Sequence, residues 1–395
     1  MKMSDAPFFL EVDHAQRCKK GNAVSGDVFT STRLGDDSVV TVLADGLGSG
    51  IKANVLATLT AKMAAGFVMN DMDIRRSAEI IISTLPVCSE RKIGYSTFTV
   101  TRIERGGEVK VIEYDNPPFI LFRGGSVVKL PSERINFKGP TGRVNAVNYY
   151  SFRLEYGDRL VFVSDGITQS GMGKKKSPLG WGNDSLMAFV RDSVEANTGI
   201  SARRLSNMIV SKAGEMDDYA VHDDCTCEVI YCRRPRGLLV VSGPSFRPER
   251  DAEMAAIIAK YDGSKAICGG TTSMIVSREL GVEVDVNLTE MRGGLPPEAK
   301  MPGVDLVTEG ILTLCRVSEM LENESWKDER ANPATKLIEL MLNNDIIDFL
   351  VGTRINEAHQ DPSMPLEIEI RRNIVKKIMR LLEERHLKKT ELRFI

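Results

Sequence analysis

Four short acidic motifs punctuate this chain: Gly26-Asp27, Asp45-Gly46, Ser164-Asp165-Gly166 and Asp223-Asp224. Each acid stands at a strand-like position or strand end, where a rigid scaffold can hold a carboxylate in place. Val24 to Phe29 and Val39 to Leu43 read as strands, Gly35-Asp36-Asp37 reads as a turn between them, and positions 27 and 45 are equidistant from 36. An antiparallel hairpin then sets Asp27 and Asp45 opposite or nearly opposite each other on one face. Facing carboxylates repel, which makes a cation bound between them the first hypothesis. Hard oxygen donors with no convergent His or Cys point to Mg2+ or Mn2+ rather than zinc. One acid able to bridge, flanked by others, fits a two-metal site that activates a water for attack at phosphorus. Asp-Gly alone is a common turn dipeptide, so the weight lies in four acidic motifs arriving in this order.

The elements that must position these acids follow from periodicity. Leu43 to Gly50 reads as strand, acidic turn and helix start. The following helix carries Val55, Leu56, Leu59, Met63 and Phe67 on one stripe, with Ala53, Ala57, Ala61, Ala64 and Ala65 at its sides, a pattern for a helix buried over most of its surface. Asn70-Asp71-Met72-Asp73 breaks that pattern, and a second helix with Ile74, Ala78, Ile81, Ile82 and Leu85 inward runs to Pro86, packing antiparallel on the first. From Tyr95 the period becomes that of strands: Phe98 to Ile103 and Val109 to Tyr114 around a Gly106-Gly107 turn, then 119–123, 126–130, 150–156 and 160–163. Residues 167–183 are expected to form a loop, followed by helices over 184–196 and 201–216, the latter N-capped by Ser201, and a strand over 225–232.

Composition excludes several classes. With 395 residues, 42% of them hydrophobic and 27% charged, the chain is globular and has room for two or three domains. A formal net charge of −2 offers no electrostatic reason to expect nucleic acid or an anionic membrane as partner. No signal-peptide core and no window of 18 uninterrupted apolar residues is present, so the expectation is cytoplasmic. Seven cysteines do not resemble a disulfide framework, and Cys225-Thr226-Cys227 reads as two buried thiols because zinc ligands usually leave two to four residues between them. Lys174-Lys175-Lys176 reads as a solvated loop, with a flap for an anionic phosphopeptide as the sharper alternative. His222 reads as an exposed strand-end histidine rather than a proton relay. The glycines of 46–50 do not complete a dinucleotide fingerprint, since Ile51 stands where the third glycine belongs.

Order, spacing and flanks resemble the metal-dependent serine/threonine protein phosphatases, in the branch typified by stage II sporulation protein E (SpoIIE). The resemblance covers about residues 10–233 and rests on the stretches SGDVF, LADGLGSGIKAN, STFTVTRIERGGEVKVIEYDNPPFILFRGG, LEYGDRLVFVSDGI and HDDCTCEVI. It implies an α-β-β-α sandwich, two mainly antiparallel sheets each covered by a helix pair. It also implies two Mn2+ or Mg2+ ions, with Asp45 bridging both, Asp27 and the Gly46 carbonyl on the second, and Asp165 and Asp223 on the first. Asp224 replaces Asp223 if the alignment slips by one. The implied partner is a phosphorylated protein in a bacterial signalling or anti-sigma-type pathway. Three positions depart from the family: the arginine that binds substrate phosphate in eukaryotic members has no counterpart, Cys225 stands for a methionine, and Asp115-Asn116-Pro117-Pro118 replaces a Gly-Ala-x-Pro turn.

Residues 1–233 are therefore expected to form a phosphatase domain and 237–395 a mostly parallel α/β accessory domain, regulatory or ligand-binding, after a linker at Arg233 to Gly237. Several of its strands end in small or hydroxyl residues, and Gly269, Gly270, Thr271, Thr272 and Ser273 are the candidate site for a small-molecule effector, against a plain reading as turns and N-caps. The expected function is a Mg2+/Mn2+-dependent phosphoserine/phosphothreonine protein phosphatase. A catalytically silent pseudophosphatase serving as a ligand-gated interaction module, a phosphatase for small metabolites, and assembly as a homodimer all stay open.

Overall fold

The computed structural model describes residues 8–35, 37–70, 72–84, 96–138, 144–175, 177–286, 296–327, 329–353 and 364–395. Asp36 of the expected turn, Asp71 of the helix break, Leu85 and Pro86 at the expected end of the second helix, Tyr95 and Lys176 lie outside the described residues. The chain divides into two compact units, Met1–Arg234 and Pro235–Ile395. Among the described residues, no helix is long and apolar enough to cross a membrane.

The first unit opens with β1 (Phe9–Arg17), β2 (Asp27–Arg33) and β3 (Val39–Gly46), followed by α1 (Ile51–Met69) and α2 (Ile74–Thr84). Then come β4 (Ser96–Ile103), β5 (Glu108–Tyr114), β6 (Ile120–Arg123), β7 (Ser126–Val128), β8 (Glu133–Lys138), β9 (Val144–Arg153) and β10 (Arg159–Val163). Three helices, α3 (Asp165–Gln169), α4 (Asn183–Ala196) and α5 (Ala202–Met216), precede β11 (Cys225–Arg233). The strands form two antiparallel sheets, ordered β2-β3-β4-β5-β9-β8 and β1-β11-β10-β6-β7. Alternation decides what each face does. Val40, Val42 and Ala44 of β3 pack under α1 and α2 with Phe98 and Val100 of β4. Cys225, Cys227 and Val229 of β11 pack under α4 and α5. The intervening residues turn the other way, so that Thr226 of β11 reaches Asp27 of β2 across the sandwich. Ser201 caps α5, accepting a hydrogen bond from the Arg204 amide.

Several expectations need correction. The helix α1 does not seat the N-terminal half of its large-residue stripe: Val55 and Leu59 are 59% and 48% exposed, with Ile51 before them at 71%, while Met63 and Phe67 further along pack against the core. Its alanine face is buried instead, through Ala53, Ala57, Ala61, Ala64 and Ala65. Small side chains let a helix backbone approach a sheet closely, and here the approach is close enough that a Cβ on Gly46 would fall 2.1 Å from the Ala53 carbonyl oxygen. β1, β8 and α3 lie where periodicity predicts no element, and β9 starts at Val144 rather than at 150. Its segment VNAVNYYSFR is largely half-exposed, so apolar alternation is weak there.

The second unit comprises β12 (Gly237–Ser242), α6 (Asp251–Lys260), β13 (Ser264–Cys268), α7 (Gly270–Leu280), β14 (Asp285–Val286), β15 (Ala299–Met301), β16 (Val304–Thr308), α8 (Ile311–Asn323), α9 (Pro333–Asn343), β17 (Ile346–Val351), α10 (Met364–His386) and β18 (Lys389–Phe394). Its sheet runs β14-β15-β16-β13-β12-β17-β18. Neighbours from β16 to β18 are parallel, whereas β14 and β15 add an antiparallel edge. One face is covered by α8, α9 and α10 and the other by α6 and α7. That edge is short, with two residues in β14 and three in β15.

Candidate metal centre

β2 and β3 pair in the register Asp27↔Asp45 through Arg33↔Val39, which sets the two carboxylates directly opposite each other. The second sheet contributes from across the sandwich: Asp165 opens α3 just after β10, and Asp223 stands two residues before β11. Asp45, Gly46, Asp165 and Asp223 line one cavity of about 480 Å3, with Thr97, Asp115 and Lys19 also in its wall. Asp27 lies behind this wall, 2% exposed.

Each acid is held by its own partners. Asp27 Oδ2 accepts the Thr226 hydroxyl at 2.7 Å. Gln16 Nε2 donates to Thr226 Oγ1 at 2.9 Å and to the Asp27 carbonyl at 3.0 Å. Asp165 Oδ2 accepts Gln169 Nε2 at 2.8 Å, one helical turn on. The Ser96 hydroxyl donates to the Asp45 carbonyl at 2.9 Å. Asp224 is engaged elsewhere: its Oδ1 accepts the Lys19 amide at 2.8 Å and its Oδ2 the Gly26 amide at 2.9 Å. It thus fastens the segment leading into β2, while its neighbour Asp223 faces the cavity.

Both Asp-Gly pairs have a steric reason for glycine. Beside the contact of Gly46 with Ala53, a Cβ on Gly166 would lie 2.1 Å from the Asp224 carbonyl oxygen. In each case the residue after the acid must let another backbone pass, which fixes where the carboxylate emerges.

The electrostatics are those of acids crowded together. Burial pushes the Asp45 carboxyl well above the usual range, and the charges of Asp27, Asp165 and Asp223 push it further. Burial likewise raises Asp27; hydrogen bonds from Thr226 and Ser164 pull it back, and Asp224 and Asp165 oppose them. Asp223 is raised by burial too, with Asp165 adding to the push and Lys19 countering it. Among the described residues, no three Asp, Glu, His or Cys side chains already close around one point as a finished metal cage. The donor set nonetheless fits a hard divalent cation, because the groups are oxygen-only, convergent and mutually repelling until a positive charge lies among them.

The structure also shows residues that periodicity missed. Thr226 and Gln16 are ordinary strand residues in sequence and acquire a role only through contacts of long range. Asp115 occupies the unusual turn at residues 115–118, in the left-handed region at φ 55°. Next to it, Asn116 accepts the Thr97 hydroxyl at 2.6 Å and donates to Thr99 Oγ1 at 3.0 Å, fixing Thr97 at the cavity wall. His222 is exposed and Lys174 pairs with Asp218 at 2.6 Å. In the second unit, Gly269 immediately precedes α7, whose Thr272 and Ser273 are buried and Thr271 exposed. Ser273 spends its hydroxyl on the Gly270 carbonyl.

The family model described as stage II sporulation protein E (SpoIIE) matches residues 35–233, half of the chain, and the chain belongs to that family. Stage II sporulation protein E of Bacillus subtilis (strain 168) is 28% identical over 156 residues, which are 39% of this chain and 18% of that protein. This chain thus spans under a fifth of that relative's length. Among solved structures, the PP2C phosphatase domain with a fragment of the regulatory domain of SpoIIE from Bacillus subtilis aligns at 21% identity and a TM-score of 0.48, covering 57% of this chain and 62% of that one. RsbX in complex with magnesium aligns at 19% identity and a TM-score of 0.40, covering 56% of this chain and 95% of that one.

Proposed function

We propose that residues 1–233 act as a divalent-metal-dependent phosphoprotein phosphatase hydrolysing phosphoserine or phosphothreonine monoesters. The observation that carries this reading is the Asp27↔Asp45 cross-strand pair, whose Asp45 meets Asp165 and Asp223 at one cavity while Asp27 lies behind its wall. In this reading Asp45, Asp27, the Gly46 carbonyl, Asp165 and Asp223 would hold two Mg2+ or Mn2+ ions, with Asp45 shared, Asp27 and Gly46 on the side of one, and Asp165 and Asp223 on the side of the other. The ions would supply Lewis acidity to a phosphoryl oxygen and to the attacking water. What the chain itself does is orient and exclude. Thr226 and Gln16 fix the rotamer of Asp27 from behind, and Gln169 does the same for Asp165. Asp224 is left out of the ligand set because both its oxygens already accept backbone amides.

The test is hydrolysis of a generic aryl phosphate and of phosphoserine peptides with Mn2+, with and without chelator, for the wild-type chain and Asp45→Asn. Turnover that needs metal and disappears in Asp45→Asn is the expected result. Mn2+ binding without turnover on any substrate would leave a silent interaction module, and absence of Mn2+ binding would remove the catalytic reading altogether.

A further inference from the structure

The candidate site holds a cation that no role has yet absorbed. Among the described residues lining the cavity, Lys19 is the one positively charged side chain, facing Asp45, Asp115, Asp165 and Asp223. Its place is built by the backbone. The Lys19 amide donates to Asp224 Oδ1 at 2.8 Å, and its carbonyl accepts the Asn22 amide at 3.0 Å, while the Lys20 amide donates to the Val221 carbonyl at 3.0 Å. The Gly26 amide ties the far end of the same segment to Asp224 Oδ2. One carboxylate therefore staples both ends of residues 19–26 beside the cavity, with the Lys19 stem half-buried between them. Despite four acids around it, the Lys19 ammonium makes no hydrogen bond or ion pair with a described residue. Its charge is still felt at Asp223, where it offsets part of the effect of burial.

A phosphomonoester dianion entering a pocket walled by carboxylates needs positive charge besides whatever the acids themselves hold. An ammonium on a flexible four-carbon stem is suited to that task as a point charge, with three donors for phosphoryl oxygens. We propose that Lys19 is the substrate-binding residue of this site, donating to the phosphate of the incoming phosphomonoester and positioning it over the paired carboxylates. This assignment rests on the phosphatase reading above. A purely structural Lys19 would do something different: it would only soften repulsion at Asp223, and its removal would change metal affinity and leave phosphate affinity alone.

Lys19→Met and Lys19→Arg separate the two. In the Mn2+-loaded full chain, Lys19→Met is expected to raise the KM for an aryl phosphate and the Kd for inorganic phosphate, measured by calorimetry, roughly 10- to 100-fold, the range of one charge-assisted hydrogen bond. Mn2+ affinity should be kept or increased, the melting curve unchanged, and Lys19→Arg should restore most of the loss. Unchanged KM and phosphate affinity in Lys19→Met, in a chain that is otherwise active, would overturn the assignment while leaving the phosphatase reading intact. A wild-type chain that turns over no substrate yet binds phosphate through Lys19 would retain the assignment and defeat the phosphatase reading. A Mn2+-loaded wild-type chain that binds no phosphate would overturn the Lys19 assignment.

Discussion

Thr226 is one oxygen away from the candidate metal centre and 210 residues away in sequence from Gln16, which completes its hydrogen bonding. Its hydroxyl donates to Asp27 and accepts from Gln16, so Asp27 is held in a single orientation by a group that never faces the cavity. Thr226→Val keeps the shape and removes the bond. Mn2+ affinity is expected to fall roughly 10- to 100-fold, as for other partners that orient metal ligands, with little change in melting temperature; isothermal titration with Mn2+ checks it. The carboxylates themselves were readable because their positions obey strand arithmetic: 27 and 45 are mirror positions about a turn, and acids at strand ends stand out against apolar runs. Thr226, Gln16, Gln169 and Lys19 carried no such signal. A hydroxyl in an alternating strand and a lysine pair ahead of a glycine turn are common, and only the register β1–β11 and the staple from Asp224 give them a place.

At the scale of elements, α1 shows why a helix can be evident in sequence while its orientation is not. Its segment offers two faces that could be buried, one of large apolar residues and one of alanines, and hydrophobicity alone favours the first. Close approach to β3 selects the second, since only small side chains fit where the Gly46 turn meets Ala53. Substitutions should follow the observed face. Ala57→Leu, at a fully buried position, is expected to destabilise by about 1–3 kcal/mol through overpacking. Val55→Lys, on the outer face, should stay within about 0.5 kcal/mol of wild type. Urea denaturation of both variants measures the difference, and a large loss in Val55→Lys with little in Ala57→Leu would place α1 the other way round. The second unit was readable as a mostly parallel α/β arrangement from its alternation of strands and helices, apart from the short antiparallel edge of β14 and β15. Its strand order was not, because β16, β13, β12, β17 and β18 lie side by side in an order set by crossovers rather than by local pattern.

For the molecule as a whole, the interior of the first unit is less apolar than its composition implies. Glu228 of β11 is 1% exposed and points between the two sheets toward Thr41. Burial pushes its carboxyl up to about 8, the Thr41 hydroxyl only partly opposing this. Glu113 of β5, also buried, is pushed up to about 7 for the same reason, held back by the Phe119 amide and Tyr150. The sign follows from proton linkage. The folded chain keeps these protons where the unfolded chain, with an ordinary glutamic acid near 4.5, has released them. Stability is therefore greatest below about pH 4.5 as far as these two groups are concerned, and it declines as pH rises from there to about 8. Glu228→Gln removes one of the two, so its stability relative to wild type should improve by a few kcal/mol between pH 5 and pH 8.5 in chemical denaturation. A gap that does not change with pH would mean that Glu228 is ionised in the folded chain.

The one-to-one register of Asp27 with Asp45 also governs which insertions and deletions this hairpin can absorb. Residues added to the turn between Arg33 and Val39 lengthen a loop and leave every cross-strand partner where it was. A single residue added within β2 inverts the alternation of all that lies between it and the strand end, so Asp27 would swing from the interior of the sandwich to the face under α1 and α2. The length of the loop is therefore free to drift among related chains, while the spacing from Asp27 to Arg33 and from Val39 to Asp45 is not.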